Sequence, residues 1–357
     1  MAASAQPSNR WLIAFAGVIV MICLGTVYSW SIFTRPLIAA FSWSNTDVSL
    51  AFSLAIFFLG IGAVIGGRWQ DRVSPRIVTI TGAVLWGIGV LLAGIGTPAF
   101  GKMWLYATYG VIGGLGLGMG YITPVATVTK WFPDRRGLAS GMVVMGFGLG
   151  AFIYNQIVTR IPSFAAAAKA ATAYVTAKDA ATKAGTAFVP AQYQLSATDV
   201  QSVMMVFVVS GIIFAIVGGI CALMLSNPPA GFSVPGAVAV AAASGRSYTP
   251  SEVLRTVQFY LLWLILFLNV TAGILIISNA VPIYSDLTGA TAAVAGSIYG
   301  LLAVFNGLGR FFWGAVSDRL GRNLTYTLIF GIQVVVFFVM GGLHSLAAVG
   351  VCFAIVL

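Results

Sequence analysis

Ten stretches of this 357-residue chain are apolar over, or nearly over, the length needed to cross a bilayer. They fall at 11–34, 47–66, 77–96, 103–128, 137–159, 202–225, 257–282, 292–316, 324–342 and from about 345 onward. A helix rises about 1.5 Å per residue, so about 20 residues cover a hydrocarbon core of about 30 Å. Within lipid every backbone N–H and C=O must find a partner inside the protein, and runs of this length satisfy that as helices. The sequence therefore reads as an all-α polytopic membrane protein. Its 7% charged residues, against about 25% in soluble domains, agree. The last run reaches Leu357 within VCFAIVL with no polar tail, so the intact protein is expected to continue through further helices.

The net charge of +10 comes from 18 Lys and Arg against 8 Asp and Glu. The short loops show where it sits. At the N-terminus and after the second, fourth, sixth and eighth runs lie Arg10, Arg68, Arg72, Arg76, Lys130, Arg135, Arg136, Arg246, Arg255, Arg319 and Arg322. The short loops on the other side hold Arg35 and Lys102. This bias places the N-terminus in the cytoplasm, and it reflects topology rather than nucleic-acid binding. Cys23, Cys221 and Cys352 each lie within apolar runs, outside any CxxC pair, and read as small fillers rather than disulfides or metal ligands. The first run, from Trp11, is too long for a cleaved signal and lacks a small-residue cleavage site.

Two loops are long. Residues 160–201 contain FAAAAKAATAYVTAKDAATKAGTAF, rich in the best helix former. With few apolar anchors, it is expected to be a solvated and dispensable decoration on the outer side. Residues 226–256 contain NPPAGFSVPGAVAVAAASG, a flexible linker. The expected organisation is a six-helix bundle over 1–226, a cytoplasmic linker over 227–251 and a second bundle over 252–357 with about four helices present. A repeat joins the halves: GRWQDRVSPR at 67–76 and GAVSDRLGRN at 314–323 both carry Gly, then Asp four residues on, then Arg. Duplicated bundles of this kind mark secondary transporters.

These motifs resemble the loop signature of the major facilitator superfamily, although Ser74-Pro75 stands where Gly-Arg is common. KWFPDRRGLASG at 130–141, YSWSIF at 28–33 and NGLGRFFWGAVSD at 306–318 narrow the resemblance to the oxalate–formate antiporter family, related to the monocarboxylate transporters. The resemblance runs along the whole chain. It implies two six-helix bundles, twelve helices in all, with this sequence ending within the tenth. It also implies a carrier that works by alternating access, in a bacterial inner membrane, without a cofactor. The glycine runs GVIGGLGLGMG at 110–120 and GMVVMGFGLG at 141–150 read as helix-packing faces, not nucleotide loops, because each lies inside a spanning run.

One charge stands apart. Arg310 sits within the eighth run, where a guanidinium costs at least about 2.5–3.5 kcal/mol at the bilayer centre. It lies about 9 Å from the middle of the run, so snorkelling to the interface is one reading. The other is a water-filled cavity. Positions 299, 303, 306 and 310 share a helix face, which gives Tyr299, Asn306 and Arg310 a common polar stripe. Asp47, Asp286 and Asp318 fall at run ends, so no intramembrane acid neutralises Arg310. Its planar fork then suits a substrate carboxylate, and the family resemblance implies that role. The substrate-binding set is read as Arg310, Asn306, Tyr121 and Tyr28, with Tyr299, Trp30, Asn155, Asn269 and Asn279 as cavity-lining candidates. Gln156 is another, and His344 reads as a loop residue. Asp71, Arg72, Asp318 and Arg319 are expected to gate the cytoplasmic end.

The expected activity is transport of monocarboxylates such as lactate or pyruvate, with a coupled proton riding near the substrate. Val27 beside Tyr28 makes that face apolar and favours a small hydrophobic tail. Oxalate–formate exchange is the alternative, and would want a second cation. An enzyme would need nucleophiles, metal ligands or paired acids within the runs, and none is evident; duplicated gate loops argue against a channel or receptor. The remaining expectations are a small carboxylate and the bilayer as partners, no nucleic acid, no metal and a monomer.

Overall fold

The computed structural model describes residues 9–190, 193–229, 231–234, 248–290 and 292–356, with side chains described for all of these except 250, 275–282, 285 and 292–303. The described chain is helical in thirteen α-segments and two short departures. The first span is broken. Helix α1 (Arg10–Gly25) starts where the Asn9 side chain accepts from the Trp11 N–H at 3.0 Å, then gives way to a 3₁₀ turn at Thr26–Ser29 before α2 (Ser31–Phe41). Hydrogen bonds from both sides hold the break. Thr26 donates to the Cys23 carbonyl at 2.7 Å, the Trp86 indole donates to that same carbonyl at 3.1 Å, and Ser29 donates to the Ala151 carbonyl at 3.1 Å.

Helix α3 (Asn45–Gln70) opens on a reciprocal capping box between Ser44 and Asp47. Its partner α4 (Pro75–Leu105) begins with Pro75 in the first turn, where proline's missing N–H has no helical partner to lose. That accounts for the Ser74-Pro75 departure in the first loop motif. The chain kinks at Gly101, where φ is +69°, and passes through a π-helical stretch, Tyr106–Gly113, into α5 (Gly114–Trp131). Lys102 at this corner pairs with Asp47 at 2.8 Å. The glycine run in α5 packs on two sides at once. A Cβ on Gly118 would run into the Leu59 carbonyl of α3, and one on Gly116 into the Trp86 backbone of α4. The packing-face reading of this run thus matches the geometry.

Helices α6 (Arg136–Val158) and α8 (Ala197–Ala222) complete the first bundle. Its core is aromatic: Trp30, Phe33, Tyr109, Phe207 and Phe214 are buried, with Trp30 and Tyr109 centroids 4.5 Å apart and Phe33 and Phe207 also 4.5 Å apart. The alanine-rich loop departs from the expectation of a solvated decoration. It forms α7 (Pro162–Ala184), whose Phe164, Ala167, Ala171 and Tyr174 are all buried. Phe164 meets Phe33 of α2 edge-on at 5.6 Å, and the Tyr174 hydroxyl donates to Ser42 at 3.4 Å. The stripe at i, i+3, i+7 and i+10 is an ordinary apolar helix face. Alanine contributes to it by allowing close approach.

A short turn, α9 (Pro250–Val253), leads into α10 (Val257–Thr288), α11 (Ala292–Leu320), α12 (Arg322–Met340) and α13 (Leu346–Val356). His344 lies between α12 and α13, with Nδ1 3.0 Å from the Leu287 carbonyl, as a loop residue. Among the described residues seven helical stretches are long and apolar enough to cross a membrane.

Candidate functional site

Helix α11 carries Arg310, and its position is set by α6. The two run antiparallel with glycine on both faces. Gly137 lies against Gly314, Gly141 against the carbonyl of Arg310, and Gly148 so near Gly307 that a Cβ would stand 2.8 Å from the Gly307 Cα. Small residues let helices approach without a hydrophobic driving force between them. The seam fixes which way the rest of α11 faces.

That face opens on a cavity of about 840 Å³ between α10, α11, α12, α13 and the broken first span. Arg310, Asn306, Asn269, Gln333 and Tyr28 supply its polar lining; Val270, Ile274, Phe312, Trp313, Ile329 and Ile332 are among its apolar walls. Arg310 is half-buried, and among the described residues its side chain makes no hydrogen bond or ion pair. It is the cation of that lining. Tyr121 lies within electrostatic reach of both Arg310 and Tyr28. Phe147 of α6 stands between the tyrosines, edge-on to Tyr28 at 5.0 Å and to Tyr121 at 5.2 Å. An offered anion thus meets a planar guanidinium, neutral amides and an aromatic wall, which suits one carboxylate with a small apolar remainder.

The other sequence candidates separate. Trp30 is buried in the aromatic core and donates its indole N–H to the Val48 carbonyl at 3.2 Å, away from the cavity lining. Val27 is also fully buried, so it gives the cavity no apolar character; the walls named above do. Asn155 lies two turns beyond Gly148 on α6, with Oδ1 buried and unpaired. The carbonyl of its neighbour Gln156 accepts from Arg160 at 2.8 Å. Tyr299 and Asn279 fall outside the described side chains. Gln333, Trp313 and Phe147 were missed. Gln333 interrupts an apolar run much as Asn306 does, but Phe147 carries no polar signal at all.

At the arginine-rich end the two loop motifs differ. Asp318 reaches across to the other half, where Oδ1 accepts from the Gly137 N–H at 2.7 Å and Oδ2 from the Leu138 N–H at 2.8 Å. Helix α6 has no capping side chain of its own, so Asp318 acts as its N-cap from outside. Asp71 follows α3 as its C-cap, and its carboxylate makes no hydrogen bond or ion pair among the described residues; Arg72 and Arg319 are exposed. The stretch Lys130–Gly141 ties further pieces to the same end. Arg10 pairs with Asp134 at 2.8 Å and lies over the Phe132 ring, while the Trp131 indole donates to the Ser226 carbonyl at 2.7 Å.

A second cavity of about 700 Å³ lies between α1, α6, α7 and α8. No charged residue lines it, so it offers an anion no cation. No group of three His, Cys, Asp or Glu side chains suited to a metal occurs among the described residues.

Comparison with known proteins agrees with this architecture. A family model described as Major Facilitator Superfamily matches residues 11–159 and 170–357. The oxalate:formate antiporter of Oxalobacter formigenes is 29% identical over 331 residues, which is 92% of this chain and 68% of that protein. Monocarboxylate transporter 13 of Rattus norvegicus is 29% identical over 136 residues, 38% of this chain and 31% of that one. Among solved structures, FucP in its outward conformation aligns with a TM-score of 0.61 at 16% identity, covering 98% of this chain and 82% of that one.

Proposed function

The chain belongs to the Major Facilitator Superfamily, and from that premise we propose that it carries small organic anions by alternating access, with Arg310 holding the substrate carboxylate. It is a multi-pass membrane transporter rather than an enzyme. The observation that carries the reading is the guanidinium of Arg310 in a cavity with no acid beside it among the described residues. A charge placed in a spanning helix at several kcal/mol and left without a protein partner is held for a ligand. Asn306, one turn away, and Tyr28 across the cavity offer neutral donors to orient it.

The lining favours a monocarboxylate. One cation offsets one negative charge, and the walls of Ile, Val and Phe suit a small apolar tail. No titratable acid lines the cavity among the described residues, and the reading adopted for a coupled proton is that it travels with the substrate. The relationship to an oxalate:formate antiporter supports anion exchange as the second reading, in which a dianion needs a further cation. The N-terminus and the arginine-rich loops face the cytoplasm of the cell in either case, by the charge bias of the loops.

Equilibrium binding tests this. Charge-assisted hydrogen bonds contribute about 1.5–3 kcal/mol, or roughly one to two decades of affinity. Arg310→Ala is expected to weaken carboxylate binding by that much. Arg310→Lys keeps the charge, loses the fork and is also expected to be poor. Substrate-induced thermal shifts with lactate, pyruvate, formate and oxalate give the measurement. Unchanged affinity of folded Arg310→Ala for each acid that the parent binds makes the arginine structural and ends the proposal.

A further inference from the structure

The cavity of about 700 Å³ between α1, α6, α7 and α8 takes none of its lining from α10–α13, so it is separate from the Arg310 cavity. Ile157 of α6 and Met205, Val209 and Ile213 of α8 form its walls, and all four are exposed, which makes it a recess open along its length. Both helices are long and apolar enough to span a bilayer, so hydrocarbon meets the opening. The polar groups of the recess are sorted by depth. Inside, the hydroxyls are already paired: Thr26 donates to the Cys23 carbonyl at 2.7 Å, Tyr154 and Ser210 share a bond of 2.7 Å, and Ser202 donates to the Thr198 carbonyl at 2.8 Å. At the mouth, where α7 and α8 begin, Ser163 and Gln201 are exposed, and their side chains make no hydrogen bond among the described residues. From Thr198 to Phe214 the recess follows α8 for about 24 Å at 1.5 Å per residue. A bilayer with its headgroups is about 40–45 Å thick, so the recess is about as deep as one leaflet.

We propose that this recess binds one acyl chain of a membrane phospholipid, drawn from the leaflet away from the arginine-rich loops, with the ester and glycerol oxygens of that lipid at Ser163 and Gln201. A flat lipid-facing surface has no recess to fill. A space of this size inside a bilayer is filled, since an empty one forfeits the dispersion contacts of its whole lining. Water and a carboxylate substrate fit it poorly, because no charged residue lines it and its inner hydroxyls are paired. A chain with a polar end matches an apolar slot with hydrogen-bonding groups at one end. A free fatty acid matches less well, because its carboxylate meets no cation among the lining residues. The position also gives the lipid something to act on. Thr26 lines the recess, and Tyr28, in the same 3₁₀ break, lines the Arg310 cavity. A chain in the recess therefore supports the broken first span from behind.

The test is photolabelling of the full chain in nanodiscs of phosphatidylethanolamine and phosphatidylglycerol, with a trace of phosphatidylethanolamine that bears a diazirine on one acyl chain. Peptides holding Ile157, Met205 and Val209 are expected to carry several times the adduct of those holding Phe57, Val64 and Ile95, which are comparably exposed but lie on α3 and α4, outside the recess. Val209→Trp fills the recess with protein and is expected to remove that excess, whereas Ile95→Trp is expected to keep it. Delipidated parent protein is expected to melt several degrees higher once phosphatidylethanolamine is added back, because a ligand of the folded state stabilises it. Val209→Trp is expected to melt at the same temperature with and without the lipid. Equal labelling of all these exposed positions overturns the site and leaves ordinary contact with surrounding lipid; the parent alone decides this if Val209→Trp does not fold. An excess undiminished in folded Val209→Trp also overturns it. Stronger labelling of the recess by a diazirine-bearing free fatty acid at equal concentration overturns the phospholipid as occupant, and a parental Tm unmoved by added lipid overturns its support of the broken span. No substrate enters these measurements, so their outcome is separate from the fate of Arg310.

Discussion

Removing the charge of Asp318 is expected to open the arginine-rich end of the transporter. The carboxylate accepts two backbone N–H groups from the first turn of α6, at 2.7 and 2.8 Å, and α6 has no other side-chain cap. Each charge-assisted bond contributes about 1.5–3 kcal/mol, and a negative charge at a helix N-terminus about 0.3–1 kcal/mol more. Asp318 is solvent-exposed, so the lower figures apply. Asn keeps the shape and one acceptor, whose neutral bond is worth about 0.5–1.5 kcal/mol. The net loss is about 2 kcal/mol, or roughly thirtyfold in the balance between closed and open forms at 1.4 kcal/mol per decade. Ser317, whose hydroxyl lies at the α6 seam, provides the readout. In a background without Cys23, Cys221 and Cys352, Ser317→Cys is expected to react with an impermeant maleimide at least tenfold faster once Asp318→Asn is added, and turnover is expected to fall. Equal labelling and equal turnover in the two backgrounds refute the reasoning, because the bonds would then contribute equally to every state in the cycle.

Two other perturbations follow from the packing. Gly141→Val places a side chain against the Arg310 carbonyl; transport is expected to drop more than tenfold at normal expression, with Ser317→Cys labelling raised, and a fully active Gly141→Val shows that the seam never closes during transport. Phe164→Ala and Tyr174→Ala strip the buried face of α7. Buried aromatic-to-alanine changes cost about 3–5 kcal/mol in well-packed cores, so melting in detergent is expected several degrees lower, and a Tm equal to the parent's returns α7 to the status of a loose decoration.

The spans were legible because the bilayer imposes a length and an apolar composition that few soluble segments share. That Arg310 and Asn306 line a cavity was legible for the complementary reason: polar groups at helical spacing in such a run have few places to go. The rest depended on tertiary contacts that leave no pattern. Nothing in the local sequence announces that Trp30 spends its N–H on Val48, or that Trp86 reaches the Cys23 carbonyl and steadies the break at Thr26–Ser29. In α7 the misreading has a chemical cause. Alanine signals helix propensity and scarcely registers as apolar surface, yet Ala167 and Ala171 are buried between Phe164 and Tyr174 because their smallness lets α2 approach. Phe147 escaped notice because an aromatic ring in a glycine-rich run looks like packing until the two tyrosines are placed on either side of it.

The proposed site and the proposed gate share one element. Arg310 and Asp318 lie eight residues apart on α11, about 12 Å at 1.5 Å per residue, and both sections of the helix bear on α6. The Arg310 carbonyl rests on Gly141, Gly314 rests on Gly137, and Asp318 caps the turn that holds Gly137 and Leu138. A substrate that shifts the side chain of Arg310 acts on the same helix whose far end holds the two halves together. It needs no relay of intervening residues. It does need a difference in affinity between the two forms, since a ligand moves an equilibrium only by that difference. A carboxylate worth one to two decades at Arg310 thus has about the leverage required to offset the roughly thirtyfold bias assigned to Asp318, and a carrier balanced in this way cycles readily only when its site is filled.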